Sequence, residues 1–131
     1  MAVRAICPIL ALLLGCSFSA YAEVNCTRPQ NDTEIFTCAD QSKSFAETEL
    51  NTQYRAAKAR IEKNMLDHDA KTMTNALIHA QKAWLVYRDE QCKIEAGSSA
   101  LENTNPYLVF INQCIARIDL VRAKELEKMC Q

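Results

Sequence analysis

The residues of this chain best suited to chemistry are its seven cysteines. Thiols offer three kinds of chemistry: metal ligation, nucleophilic or redox catalysis, and disulfide bonding. Structural zinc needs clustered ligands such as C-x-x-C, and no such pair occurs; His68 and His79 stand far from the cysteines in sequence. Nucleophilic catalysis needs a base beside the nucleophile, and no Cys-His or Ser-His-Asp arrangement can be assembled. Cys130 has Lys124 and Lys128 nearby to lower its pKa, but redox exchange needs a second cysteine within reach. The reading is therefore non-enzymatic, with no metal and no cofactor. Disulfide bonding remains, and it requires an oxidising compartment.

The N-terminus supplies the route to one. Arg4 is a positive n-region, Ala5 to Gly15 a short apolar h-region, and Ala20-Tyr21-Ala22 an A-x-A cleavage site. Residues 1–22 read as a signal peptide and residues 23–131 as a single domain, periplasmic or secreted. A competing reading is Leu13-Leu14-Gly15-Cys16 as a lipobox, which would anchor the protein in the envelope by a lipid on Cys16. No later apolar run is long enough to span a membrane. Cleavage at Ala22 would leave 14 Lys+Arg (15 less Arg4) against 16 Asp+Glu, a formal charge of −2. There is no basic patch for nucleic acid. Five cysteines survive cleavage: Cys26, Cys38, Cys92, Cys114 and Cys130.

The elements that must position these thiols are helical. Two glycines and three prolines are too few for a fold built on tight turns. Asn31 and Asp32 are candidate N-caps, with Glu34 in the first turn. Apolar residues at Ala46, Leu50, Tyr54, Ala57, Ile61 and Met65 then keep helical spacing, giving one long amphipathic helix over 32–66, with an interruption allowed near 39–44. Lys43, Arg60, Glu62 and Lys63 fall on its solvated face. A break at Asp67-His68-Asp69, with Asp69 as cap, opens a second helix over 69–96. Its stripe is Met73, Ala76, Leu77, Ala80, Ala83, Trp84, Tyr87 and Gln91. Gly97 closes it as a C′ residue. After the loop 97–106, Pro106 starts a third helix to about 129, with Tyr107, Phe110, Ile111, Cys114, Ile118 and Val121 inward. The fold class is all-α, an up-down-up bundle of three helices. That topology puts Cys26, Cys38, Cys92 and Cys114 at one end, so the bridges are Cys26–Cys38 and Cys92–Cys114. Cys130 is left at the other end, as a free thiol or an intermolecular link.

One stretch is distinctive. Ala80 to Cys92, AQKAWLVYRDEQC, places Trp84 and Arg88 one turn apart, so that the guanidinium can lie against the indole. With Glu47, Leu50, Asn51 and Tyr54 (E-x-x-LN-x-x-Y) before it, and Cys114, Arg122, Ala123 and Leu126 (C-x7-RA-x-x-L) after it, the pattern resembles the LprI family of small exported proteins. The resemblance covers essentially all of the chain after residue 22. Glu47 stands where that family usually has Asp, and Asp119 where Thr is common.

The resemblance implies a helical exported protein whose family is named for lysozyme inhibition. Inhibition would work by occlusion, a bundle end or loop covering the carboxylates of the muramidase cleft. The loop residues Ser98, Ser99, Glu102, Asn103 and Asn105 are the expected contacts. Arg88, Asp89, Glu47, Asn51 and Arg122 are the expected polar network fixing helix register, with Trp84 and Tyr87 in the core. The alternative function is an envelope interaction or stress-related module with a different protein partner.

Overall fold

The computed structural model describes residues 25–131. α1 spans Asp32–Asn64, α2 Asp67–Gly97 and α3 Asn105–Lys128, packed up-down-up as the periodicity requires. The expected signal peptide and Cys16 lie outside the described residues. No helix among the described residues is long and apolar enough to cross a membrane.

α1 starts where its sequence says it should. Asn31 Oδ1 accepts from the Glu34 amide at 2.9 Å, and the Glu34 carboxylate accepts from the Gln30 amide at 2.6 Å. The first satisfies a donor that the first turn leaves unpaired, and the second ties the residue before the cap to the helix. The helix continues without a break through 39–44. α2 begins two residues before the expected cap: Leu66 is its N-cap and makes no side-chain bond. Asp67 and Asp69 instead sit in the first turn, where carboxylates complement the macrodipole. Gly97 is the last residue of α2 and has no left-handed backbone; the chain turns through Ser98 in a right-handed conformation. The left-handed residue of this loop is Asn103, at φ 63°. Thr104 then caps α3, accepting from the Tyr107 amide, with Pro106 in the first turn.

The core has two parts. Leu50, Ala57, Ile61, Ala70, Leu77 and Leu126 form the larger, extending to the end where α1 finishes and α2 begins. Cys92, Cys114 and Ile115 form the smaller, at the opposite end. Both expected disulfides are present, with Cα–Cα distances of 5.4 Å for Cys26–Cys38 and 5.5 Å for Cys92–Cys114. Cys130 is free and half-buried, packed against the larger core.

The inward face of α1 is the expected one, but α2 and α3 are rotated. On α2 the buried residues are Ala70, Leu77, Gln81, Cys92 and Ala96, while Met73, Ala76, Ala80, Ala83 and Tyr87 are exposed. Alanines lose little when left in water, so they fix a helix's orientation weakly; the Cys92 bridge and the partners of Gln81 and Arg88 fix it instead. On α3, Phe110 and Val121 are exposed, whereas Ile115, Ala116, Asp119, Ala123 and Leu126 are buried. A stripe centred on a carboxylate is invisible to an apolar periodicity. Arg60 also leaves its expected solvated face: it donates to the carbonyl of Met129, at 2.9 Å, and to that of Leu126.

Candidate functional site

Two places concentrate polar or exposed apolar side chains. The first is a belt between α2 and α3. Arg88 donates from Nη1 to both oxygens of Asp119, at 3.1 and 3.2 Å, and pairs with Asp89 at 2.7 Å. Asp119 is fully buried and the Arg88 side chain is 11% exposed. One turn along, Arg122 donates to Gln81 Oε1 at 3.2 Å and to Glu125 at 2.9 Å. Both guanidinium carbons lie 5.9 Å from the Trp84 ring centre, so the indole sits against two cations.

Burial pushes the Asp119 carboxyl above the usual carboxylate range, against the pull of Arg88; neighbouring Glu47 and Asp89 add to the rise. For Arg88 the burial acts downward, and the hydrogen bonds and charges of Asp89 and Asp119 together outweigh it, so its pKa is raised. Every charge in the belt is committed to an internal partner. A set paired in this way can hold the register of α2 against α3, and no group of residues among those described could hold a metal ion.

The expected network is thus reshaped. Arg88, Asp89 and Arg122 belong to it, with Trp84 as their common surface. Glu47 lies half-buried and Asn51 is exposed; neither makes a side-chain hydrogen bond among the described residues. Leu50 and Tyr54 pack in or against the larger core. Tyr87 is 59% exposed and takes no part. Asp119 and Gln81 are the members the sequence reading missed. A signal for Asp119 existed: it stands four residues from Ile115 and four from Ala123, where only a paired carboxylate can lie on a buried stripe.

The second place is the stapled end, where α1 starts, α2 ends and α3 starts. Of the expected contact residues, Ser98 and Ser99 both donate to the Glu95 carbonyl, at 2.7 and 3.3 Å. Glu102, Asn103 and Asn105 are exposed, and their side chains make no hydrogen bond among the described residues. Leu101 at the loop tip is 81% exposed and Ile94 is 69% exposed. Beside them a cleft of about 250 Å³ is lined by Asp32, Ile35, Asn105, Pro106, Val109 and Phe110. The loop is held on rigid supports: the Cys92–Cys114 bridge, and the pair of Arg117 with Glu95 at 2.6 Å across α2 and α3. Hydrogen bonds from Gln91 and then Arg117 hold the Glu95 carboxyl below its ordinary range. A rigid rim with exposed apolar side chains and exposed amides can dock a protein surface.

Comparison with known proteins agrees with this arrangement. An uncharacterized protein of Rhizobium meliloti (strain 1021) is 34% identical over 137 residues, covering 98% of this chain and 97% of that protein. The crystal structure of a DUF1311 family protein from Pseudomonas putida KT2440 matches with a TM-score of 0.71 at 29% identity, over 77% of this chain and 95% of the other. The family model described as lysozyme inhibitor LprI matches residues 25–126, and so takes in both disulfides, the Trp84 belt and the α2–α3 loop. A family-model match of that extent makes this chain a member of the LprI family.

Proposed function

We propose that this protein is an exported envelope inhibitor of a lysozyme-type muramidase, acting by occlusion and without chemistry of its own. The observation that carries this reading is the stapled end. Leu101, the most exposed large apolar side chain among the described residues, projects from the tip of a loop fixed by a disulfide. Burying one such side chain contributes about 1.5–3 kcal/mol to association. Around it, Glu102, Asn103 and Asn105 offer acceptors and donors with no partner among the described residues, suited to the polar rim of an interface. Ile35 and Phe110 extend the apolar surface into the adjoining cleft. The formal charge of −2 on residues 23–131 adds a weak steering term towards a basic enzyme. Export through residues 1–22, to the periplasm or beyond, brings the inhibitor to the compartment where muramidases act.

The test is cell-wall lysis by chicken-type, goose-type and invertebrate-type lysozymes, titrated with the oxidised protein. Saturable, stoichiometric inhibition of one class is expected. Leu101→Asp should weaken it roughly ten- to a hundredfold, the equivalent of one buried leucine, with an unchanged helical spectrum. Absence of inhibition of all three classes by folded protein would overturn the reading. The stapled end would then belong to an interaction module for a different envelope protein.

A further inference from the structure

Among the described residues, α2 and its N-cap leave five large apolar side chains exposed: Leu66, Met73, Val86, Tyr87 and Ile94. All but Val86 stand whole multiples of seven residues apart, and Ala80 fills the one empty place in that series. Asp69, Ala76, Ala83 and Glu90 follow three residues after the first four places, so 66–94 carries a heptad repeat whose two seam positions are exposed. This is most of the stripe that helical periodicity assigns to the core. The chain builds its own core on another face of α2, through Ala70, Leu77, Gln81 and Cys92, roughly 100° away round the helix. A narrow seam that repeats every seven residues and faces solvent is what one helix presents to a second.

The stripe also reads the same from either end. About its middle, Leu66 mirrors Ile94, Met73 mirrors Tyr87, Asp69 mirrors Glu90 and Ala76 mirrors Ala83. A pattern of this symmetry fits its own copy turned end for end, because a two-fold axis sets each place against its mirror. The alanines at the middle let two backbones approach, and the large side chains towards each end then meet. Charge selects the same direction. Antiparallel pairing about Ala80 brings the exposed Asp69 of one copy close to the exposed Lys93 of the other, and it opposes the two macrodipoles. Parallel pairing would set Asp69, Glu90 and Lys93 each against itself. The area is sufficient too. Leu66 to Ile94 is about 42 Å of helix, and a face that long on a helix about 10 Å wide hides on the order of 600 Å² when another helix covers it. Specific interfaces begin at about that area per partner.

We propose that this protein forms an antiparallel homodimer through the 66–94 face of α2. Leu66, Met73, Tyr87 and Ile94 supply its apolar contacts, and Asp69 with Lys93 of the other copy fixes its direction. Such a pair carries its two stapled ends at opposite extremities. The proposal goes beyond the inhibitor reading and does not rest on it.

The experiment is sedimentation velocity of the oxidised protein from roughly 1 µM to 1 mM, where a reversible monomer–dimer equilibrium is expected with a Kd on the order of 100 µM, as a small interface allows. Cys130→Ser should leave that equilibrium unchanged. Tyr87→Glu places a charge in the seam at an exposed side chain, and should raise Kd at least about tenfold with an unchanged helical spectrum and Tm. Direction is read by cross-linking in the Cys130→Ser background. A short bismaleimide should couple Ala80→Cys to its own copy and leave Leu66→Cys uncoupled, because antiparallel copies hold their Leu66 positions about 42 Å apart. Coupling of Leu66→Cys as readily as Ala80→Cys would identify a parallel pair and overturn the proposal. A dimer indifferent to Tyr87→Glu would lie on another face and overturn it as well. A chain that stays monomeric throughout would leave the stripe to a different protein, and the proposal would fall.

Discussion

The two ends of the bundle are held by different means. Where α1 finishes, α2 begins and α3 finishes, packing holds the structure: Ile61 and Leu126 are completely buried, Met65, Met129 and Cys130 pack around them, and Arg60 clasps the last carbonyls of α3. At the opposite end the core shrinks to Cys92, Cys114 and Ile115, and both disulfides are there. A cross-link stabilises largely by restricting the unfolded chain, so it needs little buried surface. The stapled end can therefore leave Ile94, Leu101 and Phe110 in solvent, whereas the packed end leaves chiefly Leu66, in its turn. The difference teaches where a small helical protein can expose apolar surface: at the end that covalent bonds have relieved of packing.

Deleting core volume at the packed end should have the largest effect. Leu126→Ala removes a side chain with no exposure, and a loss of about 4 kcal/mol is expected, within the range for buried leucines. Thermal unfolding followed by circular dichroism should show Tm lowered by well over about 10 °C. A loss below about 1 kcal/mol would mean that the packed end collapses around the cavity and that the contrast between the ends is overdrawn.

Arg88→Ala comes next, at about 3 kcal/mol near neutral pH, because it strands the fully buried Asp119 carboxylate. Its pH dependence has a definite sign. Burial already raises the folded pKa of Asp119 above its ordinary value, and loss of the cation raises it further. A folded pKa above the unfolded one means that stability is gained as pH falls through the folded pKa and lost as it rises. The penalty of Arg88→Ala should thus be larger at pH 7 than at pH 4, shrinking on acidification. Denaturant unfolding at pH 4 and pH 7 checks this, and an equal penalty at both would show that Asp119 does not carry it. Arg88→Met with Asp119→Leu should recover most of the loss, since an apolar pair needs no compensation.

Cys92→Ser with Cys114→Ser removes the staple between α2 and α3. A loss of about 2–3 kcal/mol is expected, from a loop spanning 22 residues. The informative readout is hydrogen exchange. Protection should fall around Ile115 and persist around Ile61 and Leu126, since packing alone holds them. Uniform loss across α3 would show that the two ends open as one unit.

How much of this was legible in the sequence follows the same division. The buried face and start of α1 could be read, because Leu50, Tyr54, Ile61 and Met65 repeat at helical spacing and Asn31 with Glu34 is a strong start signal. The bridges could be read because an up-down-up topology puts only four cysteines at one end. The rotations of α2 and α3 could not, because their inward positions are held by pairs: Gln81 with Arg122, and Arg88 with Asp119. Each half of such a pair looks like a surface residue until its partner, 31 or 41 positions away, is known. For the same reason Arg60 read as solvated, since its acceptors are backbone carbonyls that carry no sequence signal. The exposed apolar rim was missed because helical periodicity assigns Phe110 to a core that it does not enter, while Leu101 lies in the loop 97–106, where there is no periodicity to read.

Arg60 offers the mildest and most local test of the packed end. Its guanidinium donates to two carbonyls of the last turn of α3, and Asn64 donates to the Cys130 carbonyl at 3.2 Å. A cation there also complements the helix macrodipole. Hydrogen bonds from a charged donor contribute more than neutral ones, but this side chain is only half-buried, so Arg60→Ala should cost about 1–2 kcal/mol. Arg60→Lys keeps the charge and loses the planar fork, so it should recover the macrodipole share only. Cys130 reports on the consequence, being free, half-buried and adjacent. Its alkylation should accelerate several-fold in Arg60→Ala, less in Arg60→Lys, and not at all in a variant confined to the stapled end such as Leu101→Asp. Faster alkylation in all three would mean that Cys130 is exposed by global unfolding. Acceleration in the Arg60 variants alone would show that the last turn of α3 opens by itself, held shut by one side chain from α1.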